Sequence, residues 1–175
     1  MAAERPQHRA KRSTTATGPI STAAGDLPIR DDDSQIFSPP GGAAKRSIGH
    51  MNREIQITVG NVSVRAQLEE TATASAIWAA LPLETTANRW GDEIYFSVPV
   101  RIAEEPGARQ DMTVGELGYW PVGAAFCIFF GPTPVSDSPE PRAYSNVNPF
   151  GHVMGDVRVL RSVREGDRVT VGAAR

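Results

Sequence analysis

The sequence predicts a mainly β domain over residues 51–175, a small closed β-barrel with one or two short capping helices, behind a disordered tail over residues 1–50. Three observations predict it. Short apolar runs of period two recur after residue 51, separated by turns bearing Gly, Asn and Pro. A short helical stripe lies among them. One further run, Ala124 to Phe130, is apolar almost throughout, as a wall strand buried on both faces and packed by a helix would be.

The first fifty residues are rich in Ala, Ser, Thr, Pro and Gly and carry an acidic run at Asp31-Asp32-Asp33. Their scattered apolar residues (Ile20, Leu27, Ile29, Ile36, Phe37) are too few to offset the ~1–2 kcal/mol per residue that backbone ordering costs. The expectation is an inert extension, or sequence upstream of a start at Met51; a segment that folds on a partner is the alternative.

Within the domain, Ile55, Ile57 and Val59 alternate with polar residues, and Val62, Val64, Ala66 and Leu68 do so again after Gly60-Asn61. That pair accepts the positive φ of a tight hairpin turn. A helix follows, capped by Thr71 or Thr73, with Thr73, Ile77 and Leu81 on one face and Pro82 past its end. A second hairpin turns at Trp90-Gly91-Asp92, after which Ile94, Phe96 and Val98 share a face. Glu104 to Asp111 reads as a polar loop. Leu117 to Trp120 reads as a strand, Pro121-Val122-Gly123 as a turn, and Gly131 to Asn148 as a long proline-rich loop. Val157 and Val159, then Val169 and Val171 after a Gly166-Asp167 turn, close the set of strands.

Composition excludes several functions. Net charge is −2, from 18 basic and 20 acidic residues, and the acids outnumber the bases within the domain, so no nucleic-acid partner is expected. No apolar run approaches the ~20 residues of a membrane span. The lone Cys127 makes no internal disulfide, and no apolar stretch follows the basic N-terminus, so a cytoplasmic location is expected. No metal or cofactor is expected: the histidines are the isolated His8, His50 and His152, and Cys127, between Phe126 and Ile128, reads as a buried thiol. Gly115-Glu116-Leu117-Gly118 lacks the spacing of a dinucleotide loop, and no Ser sits in a nucleophile elbow. What remains is a concentration of aromatics. Arg89 and Trp90 at one turn, with Tyr95, Tyr119, Trp120, Phe129 and Phe130, are either core with Arg89 paired to Asp92 or Glu93, or the lining of a groove for a peptide or small ligand.

Three segments, Asn88-Arg89-Trp90-Gly91-Asp92-Glu93-Ile94-Tyr95-Phe96, Gly115-Glu116-Leu117-Gly118-Tyr119-Trp120-Pro121 and Phe126-Cys127-Ile128-Phe129-Phe130-Gly131-Pro132-Thr133-Pro134, closely resemble an uncharacterised prokaryotic family with a cyclophilin-like fold. The resemblance runs from about Arg53 to Val171 and implies a compact β-barrel capped by short helices. In a true cyclophilin, a peptidyl-prolyl isomerase, an Arg donates to the twisting amide nitrogen and an apolar pocket grips the proline. Phe129-Phe130 resembles the strand that supplies a pocket phenylalanine there, and Phe150-Gly151 resembles the Phe-Gly of a later strand. The Phe-x-Arg-Val and Phe-Met-x-Gln-Gly-Gly segments have no counterpart, and Arg142 to Pro149 contains neither the Trp nor the His that precede that Phe-Gly. Shared fold does not carry shared function, and with these departures the expectation is a cyclophilin-fold binding domain for a peptide or small ligand without strong isomerase activity, gated by the Pro132–Asn148 loop. An isomerase with a rearranged site using Arg89 or Arg142 is the alternative.

Overall fold

The computed structural model describes residues 52–175, and the tail expected over residues 1–50 lies outside the described residues. The first hairpin forms as its alternation dictates. β1 (Glu54–Val59) and β2 (Val62–Leu68) pair antiparallel, with Gly60 at φ 56° in the turn. Ile55, Ile57, Val64, Ala66 and Leu68 all point into the core.

Helix α1 (Ala72–Ala80) starts where Thr71 accepts a hydrogen bond from the Ala74 amide (3.0 Å) and buries Thr73, Ala74 and Ile77. Its first turn is tied into the molecule by a polar node. Glu105 accepts from the Thr73 amide at 2.8 Å and from its hydroxyl, while the fully buried Asn148 donates to Thr73 Oγ1 (3.2 Å) and the Ala103 carbonyl (2.9 Å). Asn148 Oδ1 accepts from the Glu105 amide at 2.9 Å, so this interior side chain has partners on both ends and fixes the loop, helix and strand that meet there.

The remaining strands are β3 (Leu83–Thr86), β4 (Asn88–Trp90), β5 (Glu93–Ser97), β6 (Arg109–Asp111), β7 (Glu116–Trp120), β8 (Ala125–Phe129), β9 (Arg142–Met154) and β10 (Arg168–Ala173). They join in the order β3-β10-β1-β2-β9-β7-β8-β5-β4, with β6 paired to β9 off this path. The closed barrel expected from the sequence is not formed. The ladder is an open path ending at β3 and β4. The two end strands are consecutive with only Ala87 between them, a connection too short to turn the chain back so that β3 could pair with β4.

Three further expectations are corrected. The polar loop expected over Glu104 to Asp111 ends in β6. The long loop expected over Gly131 to Asn148 ends at Pro141, and Arg142 opens β9, the longest strand. Its sequence hid it, because polar residues break the alternation and Pro149 sits inside it. The proline is accommodated where the β7–β9 register slips between Leu117 and Gly118. Val157–Ser162 is a 3₁₀ segment instead of a strand, started by Asp156, whose carboxylate accepts from the Arg158 amide at 2.9 Å.

β8 is buried along its whole length, as its apolarity requires. Phe126 and Ile128 enter the main core, where Phe126 stacks on Phe96 (4.8 Å between centroids) and meets Phe150 edge to face. Cys127 and Phe129 point the other way, into a second cluster with Met112, Ala143 and Val147. The outer cover of β8 is therefore supplied by β9 and the chain beside β6, where the sequence suggested a helix.

Candidate functional site

The outer face of β5, β8 and β7 is where the sheet does more than enclose a core. Tyr95 and Trp120 are half-buried against the second cluster on this face. β9 folds over it and is held by β6, but the two strands slip past each other: Arg109 pairs with Val147 while Asp111 pairs with Arg142. β9 therefore carries surplus residues between these pairs, a bulge. Gln110 stabilises the bulge by donating from Nε2 to the carbonyls of Ala143 (3.2 Å) and Tyr144 (3.1 Å). Tyr144 consequently stands at the surface, 51% exposed.

Two tryptophans meet that tyrosine. Trp90 lies 6.1 Å from it between ring centroids with planes at 77°, and Trp120 lies 6.4 Å away at 81°. Both contacts are edge to face. The Trp120 indole is oriented from behind, donating to Ser145 Oγ at 2.7 Å. An aromatic patch of three rings thus forms from residues far apart in sequence, on β4, β7 and β9. Beneath β6, Arg109 ion-pairs with the buried Glu116, whose other oxygen accepts from the Thr113 amide (2.9 Å) and hydroxyl (3.3 Å). That carboxylate fastens β6 to β7 and so holds the bulge in place.

Other candidates from the sequence are placed elsewhere. Arg89 turns away from the patch. Its Nη1 donates to the carbonyls of Arg161 (2.7 Å) and Val163 (2.8 Å), its Nε to the Gly91 carbonyl (3.0 Å), and Nη2 pairs with Asp92 (3.3 Å). The guanidinium also sits 5.4 Å over the Phe130 ring. It clamps the end of the 3₁₀ segment to the β4–β5 turn. Tyr119 is fully buried in the main core, with its hydroxyl donating to the Val100 carbonyl (2.7 Å) and accepting from the Ile102 amide (3.3 Å). Phe130 belongs to the same core, and Phe129 to the floor under β9. Of the seven aromatic and arginine candidates, the half-buried Trp90 and Trp120 each meet Tyr144, with Tyr95 packed on the second cluster nearby. Sequence reasoning missed Tyr144, because its segment read as loop; a tyrosine two residues after Arg142 in a polar run was the available signal.

Arg142 borders the patch. Together with Asp111, Met112, Asp137, Ser138, Glu140 and Pro141 it lines a cavity of about 300 Å³. The segment expected to gate the site is pinned at its base: Ser136 Oγ accepts from the amides of Thr133 (2.9 Å) and Arg142 (3.0 Å). Among the described residues, no group of three His, Cys, Asp or Glu side chains is placed to hold a metal ion, and no helix is long and apolar enough to cross a membrane.

The cyclophilin-like family matches the chain over residues 53–172. The chain belongs to the cyclophilin-like family. The solution structure of a hypothetical protein from Archaeoglobus fulgidus is similar to it at 36% identity and a TM-score of 0.62, covering 70% of this chain and 95% of that one. Among curated proteins none matches. The matched span contains all three segments quoted from the sequence. Family membership does not carry an activity, since one fold serves many.

Proposed function

We propose that this cyclophilin-like domain is a binding module for a peptide or small ligand, without strong prolyl isomerase activity. The observation that supports this reading best is the surface patch of Trp90, Trp120 and Tyr144. Rigid aromatics give large contact area at small entropic cost, which is why they concentrate where proteins bind partners. Tyr95 extends the same face. The engagement of Arg89 with main-chain carbonyls argues against its use as an isomerase arginine.

One observation favours the second reading, an isomerase with a rearranged site. Arg142 stands beside the patch, 39% exposed, and its contacts to Asp111 and Asp137 are 3.8 and 3.9 Å. A guanidinium held that loosely is able to reach an amide nitrogen. Titrating the full chain with a short Xaa-Pro peptide by NMR separates the two. Indole shifts of Trp90 and Trp120 without faster cis–trans exchange are expected, and Tyr144→Ala should weaken them. Accelerated exchange at catalytic protein concentration, abolished in Arg142→Ala, would make the domain an isomerase. Absence of both would remove proline peptides as ligands.

A further inference from the structure

The aromatic patch stands on a domain with a charge bias. Residues 52–175 hold fifteen carboxylates, eleven arginines and no lysine. Some of that negative charge gathers beside the patch. Arg142 precedes Tyr144 by two residues on β9. Around Arg142 the cavity of about 300 Å³ is walled by Asp111, Asp137 and Glu140, three carboxylates against one guanidinium. The Arg142 contacts at 3.8 and 3.9 Å are longer than hydrogen bonds, and Asp111 and Asp137 are each 86% exposed. Their oxygens retain capacity to accept from a donor outside the chain.

We propose that the ligand of this surface is an extended cationic peptide, with an apolar side chain on the Trp90–Tyr144–Trp120 patch and an Arg or Lys in the acidic cavity. The proposal rests on the binding-module reading and deepens it. Arg142 and Tyr144 stand two residues apart on β9, and the arginine probe places an apolar and a cationic residue two apart as well. An arginine suits the cavity best, since its planar fork can donate to two carboxylates at once.

The test uses the full chain and three probes: acetyl-Gly-Phe-Ser-Arg-Gly-amide, the same peptide with citrulline for arginine, and the same with glutamate. Citrulline keeps the shape and removes the charge. Affinity is read from the indole resonances of Trp90 and Trp120. The arginine peptide should bind about tenfold tighter than the citrulline peptide, with the glutamate peptide weakest. The advantage should shrink in ~0.5 M NaCl and vanish in the Asp111→Asn, Asp137→Asn double variant. Both carboxylates are exposed, so an unchanged urea midpoint would confirm that the variant folds. Equal affinity for the three peptides would overturn the cationic proposal and leave the binding module standing. Response to an Xaa-Pro peptide but to none of these three would do the same, whereas silence to all four would overturn both.

Discussion

Replacing Arg89 by alanine should cost stability before it costs binding, and the structure sets the size of the loss. The guanidinium donates two short charge-assisted hydrogen bonds, to the carbonyls of Arg161 and Val163, and a third to Gly91. A hydrogen bond to a charged group contributes ~1.5–3 kcal/mol when well buried. Here the side chain is 29% exposed, so water can reach part of what is vacated, and each of the three bonds contributes only ~0.5–0.7 kcal/mol. The pairing with Asp92 adds ~0.2–1 kcal/mol and the contact with Phe130 ~0.5–1 kcal/mol. Together these give an expected loss of roughly 2–4 kcal/mol for Arg89→Ala, against about 0.2–1 kcal/mol for Asp92→Asn. Arg89→Lys keeps the charge but cannot fork between two carbonyls, and should fall between them. Equilibrium urea unfolding at 25 °C, with the slope unchanged and the midpoint lowered, reads all three. A loss below ~0.5 kcal/mol in Arg89→Ala would refute the clamp, because no arrangement of these bonds is that weak on removal. If that variant instead kept its stability and lost the peptide-induced indole shifts, Arg89 would belong to the ligand site.

Three other outcomes follow from the geometry. Gly91 sits at φ +60°, and a Cβ there would lie 2.8 Å from Pro134 Cδ and 3.0 Å from Thr133 Cα; Gly91→Ala should therefore lose roughly 2–4 kcal/mol by strain plus overlap. Gly155 is also left-handed, at φ +87°, but has nothing within 4 Å, so Gly155→Ala should lose only ~1–2 kcal/mol in thermal unfolding. Asp156 is held below the usual carboxylate range, first by the side-chain hydrogen bonds of Arg158 and then by its amide. A lowered folded-state value means that its contribution is present at neutral pH and fades as pH falls through that value. Carboxyl NMR titration should show the low midpoint in the native chain and its return toward the ordinary value in Arg158→Ala, while an ordinary midpoint in the native chain would contradict the capping geometry.

How much of this was legible in the sequence depends on how local the signal was. The alternation of Ile55, Ile57 and Val59, the Gly60-Asn61 turn, the Thr71 cap and the apolar run through Phe129 are encoded in neighbouring residues, and each produced the element it predicted. Trp90 and Trp120 could be named as aromatic candidates in the same way. The second cluster, by contrast, needs Met112, Ala143 and Val147 brought over Cys127 and Phe129 from separate segments. No period within β9 announces that packing.

By itself, then, the sequence determined the β-rich class, the hairpins and helix α1, and the family through its three segments. Those features arise from backbone preferences and side-chain periodicities that act over a few residues. Tertiary structure decided the rest. It left the sheet open at β3 and β4, since consecutive strands cannot pair across a single residue. It made a strand of the proline-bearing stretch that begins at Arg142, and by the slip against β6 it raised Tyr144 between two tryptophans from other strands. It also turned Arg89 inward to two main-chain carbonyls some seventy residues away along the chain. Register and long-range hydrogen bonding are properties of paired segments, and a pair is not written in either segment alone.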